Sequence, residues 1–212
     1  MTGISVKNLN KSYNDSVLLK DFSAFFKYGQ CTAVMGPSGC GKTTLINILM
    51  GLDHDFTGEI EGMPDSFSVV FQENRLCEDF SVMDNIRMVT AAGKRHGDSA
   101  GKRLRSVAGK RQGAATGTDP DIMMILKELS LADCACQKVS ELSGGQKRRV
   151  AIARALACRS DLIIMDEPFK ELDEDNRKAA AKAVSARKKT IILVTHDSED
   201  LTLMNAALIN IP

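Results

Sequence analysis

The sequence lacks an excess of charge of either sign, since 28 Lys and Arg residues stand against 27 Asp and Glu residues. The net charge of +1 excludes a globally basic nucleic-acid-binding protein, although it is compatible with local basic patches. No apolar run approaches the roughly 18 residues typical of a membrane-spanning helix. The opening residues, MTGISVKNLNKSY, also lack the apolar core of a signal peptide. We therefore expect a soluble chain, and its 212 residues, 43% of them hydrophobic, suffice for one domain.

The cysteine spacing excludes the common zinc-site patterns. Cys134 and Cys136 are separated by a single residue, whereas paired zinc or redox cysteines are usually separated by two. We expect reduced thiols, as in a cytosolic protein, in preference to the alternative of a disulfide or metal scaffold. The cysteines are Cys31, Cys40, Cys77, Cys134, Cys136 and Cys158.

Short apolar runs alternate with stretches of helical periodicity. The runs CTAVM, SVVF, LIIM and TIILV have the pattern of strands buried on both faces. Stretches between them, such as KTTLINILMGL and GGQKRRVAIARALAC, have apolar residues at helical spacing. This alternation predicts an α/β fold with a largely parallel sheet. The first segment, ISVKNLNKSYNDSVLLKDFSAFF, alternates apolar and polar residues and predicts half-exposed antiparallel strands.

One basic segment interrupts this alternation. Residues 93–116 form three octads that each begin with Gly-Lys-Arg, and residues 91–118 contain seven basic residues and one acidic residue. Because glycine is frequent and large apolar residues are scarce, we expect a flexible, solvated insertion. The competing hypothesis is a basic arm that contacts anionic lipid headgroups or a nucleic-acid backbone.

The segment GPSGCGKTTL satisfies the phosphate-loop pattern G-x-x-x-x-G-K-[ST] between a predicted strand and a predicted helix. Backbone N–H groups and the helix dipole would hold phosphates there, with Lys42 directed at the β- and γ-phosphates and Thr43 at Mg²⁺. The alternative is a glycine turn with an incidental lysine. The predicted nucleotide-binding residues are Gly36, Pro37, Ser38, Gly39, Cys40, Gly41, Lys42, Thr43 and Thr44.

The segment DLIIMDEP supplies the acids that such a loop requires. Asp166 stands at the end of a predicted buried strand, where it would hold Mg²⁺ directly or through water. Glu167 follows and would orient or deprotonate the attacking water. Two adjacent carboxylates are usually only surface charge, but four apolar residues before this pair and Pro168 after it favour the functional interpretation.

A second glycine-rich helix start occurs in ELSGGQKRRVAIARALA. Its first residues, Ser143, Gly144, Gly145 and Gln146, would also suit an anion. One chain holding one nucleotide has no obvious need for two such helix ends. Two chains arranged head to tail do, since each LSGGQ could close over the phosphates held by its partner's loop.

In these motifs and their order the sequence resembles the ATP-binding-cassette ATPases, the nucleotide-binding subunits of ABC transporters. The resemblance covers nearly the whole chain and implies a P-loop NTPase of the ABC ATPase fold. That fold has a mainly parallel core sheet, an antiparallel β subdomain and a helical subdomain, and its cofactors are ATP and Mg²⁺. The matching segments are Gly36–Thr43 (Walker A), Leu142–Gln146 (signature motif) and Leu162–Asp166 with Glu167 (Walker B and catalytic glutamate).

The resemblance also assigns roles to residues outside these segments. It implies that Gln72 contacts Mg²⁺ or the attacking water, that His196 contacts the γ-phosphate, and that Tyr13 stacks on adenine. Taken singly, Gln72 could be an ordinary polar residue at a strand end, His196 a strand-end cap and Tyr13 an edge aromatic. Asp173 matches the D-loop aspartate.

Lys170 and Glu171 depart from the family pattern, which usually has small residues before the D-loop Leu-Asp pair. The departure puts in doubt the details of contact across a dimer. The resemblance further implies a single domain over residues 1–212, with a helical subdomain at about 74–140 that contains the basic insertion 91–118.

The function implied is that of an ATPase subunit that drives solute transport through a membrane permease, with import as the expected direction. Its expected partners are permease subunits docked on Phe71–Phe80, a second ATPase subunit as a homodimer and, indirectly, a solute-binding protein. We expect no direct nucleic-acid partner and a peripheral position on the cytoplasmic face of the membrane. FQENRL and MDEPFKELD resemble importers of nitrate, sulfonates and taurine. The alternatives are a soluble nucleic-acid-linked ABC ATPase and a cassette that binds ATP without effective hydrolysis.

Overall fold

A computed structural model describes residues 2–14, 16–93 and 120–211, with side chains described only to residue 90 in the second range. Most of the predicted basic insertion, including the three octads after their first residue, lies outside these residues, whereas its first three positions, 91–93, belong to a helix. The described residues form two sheets and six helices. The strands are β1 (Gly3–Tyr13), β2 (Ser16–Lys27), β3 (Cys31–Met35), β4 (Thr57–Glu61), β5 (Phe67–Val70), β6 (Leu162–Asp166), β7 (Thr190–Val194) and β8 (Ala207–Asn210). The helices are α1 (Lys42–Leu49), α2 (Val82–Gly93), α3 (Pro120–Glu128), α4 (Gly144–Ala157), α5 (Glu174–Ser185) and α6 (Ser198–Met204).

The larger sheet is parallel throughout, in the order β5-β6-β7-β3-β8. Two of its three interior strands, β6 and β7, are buried at every residue. The four apolar runs in the sequence all fall on strands of this sheet, so the predicted parallel α/β core is confirmed.

Successive residues of β6 belong to two different cores, as the alternation of side chains in a strand requires. Leu162 and Ile164 pack with α1 and the smaller sheet, whereas Ile163 and Met165 pack with the helices on the opposite face. The parallel sheet is therefore the middle layer of the fold, covered on both faces.

The smaller sheet is antiparallel, in the order β2-β1-β4. Its apolar residues Ile4, Leu9 and Phe26 are fully buried against the α1 side of the parallel sheet, while alternate residues face solvent. The antiparallel pairing predicted for the first segment is confirmed.

The remaining helices α2 to α6 pack on the other face. Two short 3₁₀ turns, Ala132–Cys134 and Val139–Glu141, connect α3 to α4. Among the described residues, no helix combines the length and the apolarity that crossing a bilayer requires.

The parallel topology brings four loops together. Because parallel strands end at the same edge of a sheet, the segments after β3, β5, β6 and β7 all emerge at one edge. These segments contain the phosphate-loop pattern, Gln72, the Asp166–Glu167 pair and His196. The fold thus places the predicted catalytic residues on neighbouring strand ends.

Candidate functional site

The phosphate loop, residues 36–44, depends on glycines at two positions. A Cβ at Gly36 would lie 2.6 Å from the Cys40 sulfur and 2.7 Å from the carbonyl oxygen of Ile211, so a larger residue does not fit. Gly41 has a φ of 103°, a conformation that glycine adopts without strain, and α1 begins at the next residue. The loop therefore directs the N-terminus of α1 at the carboxyl edge of the sheet.

Lys42 holds its ammonium group inside this loop. Its Nζ donates to the carbonyl oxygens of Gly36 and Pro37, at 2.8 Å each, and lies 3.9 Å from the Cys40 sulfur. The Lys42 ammonium therefore lies at the position where the backbone N–H groups of a phosphate loop bind an anion.

Thr43 and Asp166 meet between α1 and β6. The Thr43 hydroxyl donates to Oδ2 of Asp166 at 3.2 Å. Burial raises the pKa of Asp166 above its ordinary value, and the bond from Thr43 offsets part of that increase. Gln72 lies on the wall of the same cleft, whose volume is about 150 Å³. The structure thus brings the three predicted metal-site residues together.

Glu167 and His196 form a second pair at the ends of β6 and β7. Oε1 of Glu167 lies 2.9 Å from Nδ1 of His196. The Glu167 side chain is 17% exposed and that of His196 is 66% exposed, so the pair opens to solvent on the histidine side. Lys170 also approaches, with its Nζ 3.6 Å from Oε2 of Glu167. The carboxylate can therefore receive a proton at a position fixed from two sides.

The backbone at Glu167 is strained. Its φ of 46° lies in the left-handed region, which non-glycine residues seldom adopt. The strain is held by the Glu167 N–H, which donates to the Val194 carbonyl at 2.8 Å, and by Arg148, whose Nη2 donates to the Glu167 carbonyl. Strain of this kind is typical of residues that are positioned for function.

Arg148 is a residue whose importance the motifs did not reveal. It lies on α4, is 3% exposed, and bonds to both the segment after β5 and the segment after β6. A signal was present, since Arg148 shares a helical face with the buried residues Ile152 and Ala155, where an unpaired charge would be costly. Its acceptors are the carbonyl oxygens of Phe71, Gln72, Asp166, Glu167 and Pro168 and the side-chain oxygen of Asn74.

Arg177 on α5 orders the segment that carries His196. Its guanidinium bonds to Asp197 at 2.5 Å and to Asp200 at 2.6 Å, and Asp200 in turn accepts from the hydroxyl of Thr195. The residues on both sides of His196 are therefore tied to α5. No sequence pattern indicated this contact, because Arg177 and its partners are about 20 residues apart.

The signature residues cap their own helix. The Ser143 hydroxyl accepts from the Gln146 N–H at 3.3 Å, and the Gln146 side chain accepts from the Ser143 N–H at 2.8 Å. The capping box uses the N–H groups of Ser143 and Gln146. Gly144 and Gly145 lie between them in the first turn of α4, where backbone N–H groups have no acceptor within the helix. No hydrogen bond or ion pair of the described residues links 143–146 to the loop 36–44, so the structure does not bring these two predicted phosphate sites together.

Tyr13 stands at the end of β1, 50% exposed. The end of this hairpin borders the phosphate loop, since Leu18 and Leu19 of β2 lie 3.0 and 3.2 Å from a Cβ built on Gly41. The predicted adenine-stacking residue therefore lies at the end of the hairpin whose second strand borders the loop. Asp173, the predicted D-loop aspartate, accepts from the Asn176 N–H and caps α5.

The family model described as "ABC transporter" matches residues 19–170. The chain belongs to the ABC transporter family.

Known members of this family align with nearly the whole chain. The aliphatic sulfonates import ATP-binding protein SsuB 2 of Burkholderia cenocepacia is 33% identical in an alignment of length 208 that covers 93% of this chain and 69% of that protein. The tungstate uptake system ATP-binding protein TupC of Peptoclostridium acidaminophilum is 32% identical over 92% of this chain and 88% of that protein. The dimeric structure of MJ0796, a bacterial ABC transporter cassette, superposes with a TM-score of 0.75 and 26% identity over 98% of this chain and 94% of that chain. The predicted fold class and family resemblance are thereby confirmed.

Lys170 and Glu171, which depart from the family's D-loop pattern, lie close to residues of two other motifs. Lys170 approaches Glu167, and a Cβ built on Gly144 would lie 3.2 Å from Oε2 of Glu171. Glu171 also has a φ of 66°. The two residues thus place a cation near the predicted catalytic carboxylate and an anion near the signature helix start.

Proposed function

We propose that this chain binds and hydrolyses MgATP and thereby drives solute import through a membrane permease. The observation that supports this proposal most strongly is the meeting of two pairs, Thr43 with Asp166 and Glu167 with His196, beside the phosphate loop. Such an arrangement provides a phosphate cradle, a hard-oxygen cation site and a general base at neighbouring strand ends.

The hydrolytic role of each residue follows from its position. Lys42 and the first N–H groups of α1 offset the charge of the β- and γ-phosphates. Glu167 accepts a proton from the water that attacks the γ-phosphorus, and ADP leaves as the bond to the β-phosphate oxygen breaks. His196 holds the Glu167 carboxylate in place through its Nδ1, which donates when Glu167 is ionised.

The donor set beside the loop fits Mg²⁺. Thr43 and Asp166 offer a hydroxyl and a carboxylate, the hard oxygen ligands that this ion prefers, and Gln72 adds an amide oxygen to the same cleft. Among the described residues, no three His, Cys, Asp or Glu side chains converge as a metal site, so the remaining ligands would be water and phosphate oxygens. When bound, Mg²⁺ would offset the charge that develops on the phosphates.

Two cassettes are proposed to share each ATP. Two observations support a lid supplied by a second copy: Gly144 and Gly145 lie in the first turn of α4, and no bond joins 143–146 to the loop among the residues that the structure describes. The similarity to a dimeric bacterial cassette agrees with this arrangement. The signature residues of one copy would then contact the γ-phosphate held by the other.

The permease partner is proposed to dock on the segment Phe71–Phe80. Phe80 is 49% exposed in this segment, and Arg154 donates to the backbone oxygens of Asn74 and Arg75. A permease contact there would reach the phosphate site through Gln72. The names of the relatives favour import, and a position on the cytoplasmic face of the membrane follows from that role. They name aliphatic sulfonates and tungstate at nearly equal identity, so similarity of the cassette does not select the solute.

Light scattering of Glu167→Gln after size exclusion, with and without MgATP, tests the shared site. We expect a doubling of the 23.0 kDa mass only with MgATP, because the amide cannot deprotonate water and the closed pair accumulates. Glu174→Gln, an exposed carboxylate on α5, is the matched control and should remain monomeric. A Glu167→Gln variant that binds ATP and stays monomeric would contradict the homodimer.

A further inference from the structure

A cluster around Lys11 holds the ring of Tyr13. Lys11 lies two residues before Tyr13 on β1, so the two side chains are on the same face of the strand. The Lys11 side chain is only 2% exposed although it carries a charge, and its Nζ lies 4.5 Å from the centroid of the Tyr13 ring. One face of the ring is therefore covered by a buried cation.

Asp53 joins both residues. Its Oδ1 accepts from Lys11 at 3.0 Å and its Oδ2 accepts from the Tyr13 hydroxyl at 2.9 Å. Lys11 also donates to the carbonyl oxygen of Asp55 at 2.6 Å. The segment after α1 thus fixes the ammonium and the phenol simultaneously.

These bonds are more than a surface ion pair. Burial lowers the pKa of Lys11, but its bonds to Asp53 and Asp55 raise that pKa by more, so the amine stays charged. A buried ammonium with fixed partners restrains the orientation of the Tyr13 ring that packs on it. An exposed tyrosine without such partners would rotate about its two side-chain torsions.

We propose that Lys11 and Asp53 are positioning residues that lock the Tyr13 ring as a stacking platform for the nucleobase. The proposal rests on the ATP-binding function proposed above. The covered face of the ring lies toward Lys11, and the hairpin end that carries the ring borders the phosphate loop at Gly41. A base whose phosphates lie in that loop stacks on the open face of Tyr13.

The test compares two ligands that share phosphates and differ in the base. The affinities of wild type and variants for ATP and for inorganic tripolyphosphate, both with Mg²⁺, are measured by calorimetry. Lys11→Met and Asp53→Asn should each lower the affinity for ATP by roughly three- to ten-fold and leave the affinity for tripolyphosphate unchanged. Lys7→Met is the matched control, because Lys7 lies on the same strand in an exposed pair with Glu61.

A third variant separates orientation from loss of the ring. Tyr13→Phe keeps the ring and removes its bond to Asp53, so it should weaken ATP less than Tyr13→Ala. Combining Tyr13→Phe with Asp53→Ala should add little to Asp53→Ala alone, since both remove the hydrogen bond between these two side chains. If Lys11→Met does not fold, the ratio measured on Asp53→Asn decides.

Each result points to one conclusion. The positioning role would be overturned if folded Lys11→Met or Asp53→Asn lost ATP and tripolyphosphate affinity equally. It would also be overturned if the ratio of ATP affinity to tripolyphosphate affinity stayed at the wild-type value. Failure of the wild type to bind either ligand, or unchanged binding by Lys42→Ala, would instead overturn the proposed ATP-binding function itself.

Discussion

Nδ1 of His196 lies 2.9 Å from Oε1 of Glu167, across the ends of two adjacent parallel strands. Glu167 has a left-handed backbone conformation, and Arg177 ties the segment after β7, which carries His196, to α5. Because the histidine is mostly exposed and the carboxylate mostly buried, the pair has one open side. Solvent therefore reaches the pair from the histidine side.

Removing either partner of this pair should reduce hydrolysis more than binding. We expect His196→Ala and Glu167→Gln each to lower the rate of phosphate release by about 10²–10⁴-fold, the usual contribution of acid–base catalysis. ATP affinity should not fall, since Lys42 and the loop are intact. Phosphate release and equilibrium ATP binding measure the two effects. A His196→Ala variant with full turnover would show that the 2.9 Å contact has no catalytic role.

Asp166→Asn should weaken the dependence on Mg²⁺. The amide keeps the shape of the side chain and its contact with Thr43 but loses the charge that attracts the cation. We expect the Mg²⁺ concentration for half-maximal turnover to rise by at least about ten-fold, as for loss of a metal ligand or its support. Asp161→Asn, at the opposite end of the β6 strand, is the control. Full activity of Asp166→Asn at low Mg²⁺ would place the metal site elsewhere.

Arg148→Met should destabilise the whole chain. The substitution leaves several buried carbonyl oxygens around the site without donors, and we expect the free energy of unfolding to fall by about 3 kcal/mol. The exposed Arg159→Met should change it by less than about 0.5 kcal/mol. Urea unfolding of both variants gives the comparison. An Arg148→Met protein as stable as the control would mean that water replaces the guanidinium.

Cys31 should resist alkylation. Burial raises its pKa from 9.0 to about 12, whereas Cys77 and Cys136 are exposed. At pH 8 a thiol with that pKa is thiolate in about one molecule of ten thousand, and the thiolate is the reactive form. Mass spectrometry after brief iodoacetamide treatment should find Cys77 and Cys136 modified and Cys31 intact, with all six modified in urea. Equal rates at Cys31 and Cys77 in the folded protein would contradict the prediction.

The same pKa difference predicts an effect of alkaline pH. Between pH 9 and pH 12 the folded chain keeps the Cys31 proton that the unfolded chain loses, so the free energy of unfolding should fall as pH rises. Cys31→Ala removes this contribution and should show a shallower decrease. Parallel curves for the two proteins would indicate that the thiol is not protected in solution.

Much of the fold was predictable because the relevant signals are local. β-Branched apolar runs predicted the parallel strands, and β3 and β7 have the same limits as the runs CTAVM and TIILV. The helix predicted after the phosphate loop begins at Lys42 because Gly41 can adopt a left-handed conformation and end the loop. Each of these depends on residues close together in the chain, where composition and periodicity carry information.

The contacts that hold the site together were not predictable in this way. Arg148 reaches Phe71 across 77 residues, and Lys11 reaches Asp53 across 42. The apolar spacing along α4 does not indicate that Arg148 and Arg149 are buried as well, where both bond to backbone oxygens. From sequence alone a charged residue is predicted to be exposed, because the partners that would allow its burial are not visible.

The amino-acid sequence was sufficient to predict the phosphate loop, the order of strands and helices, and the acids beside the loop. These follow from residue types at short spacing, and glycine, lysine and threonine have the same chemistry wherever the chain places them. The tertiary structure alone decided that Glu167 meets His196 and that Tyr13 is held by Lys11 and Asp53. Those distances arise from strand order and layer packing, which depend on the free energy of the whole core.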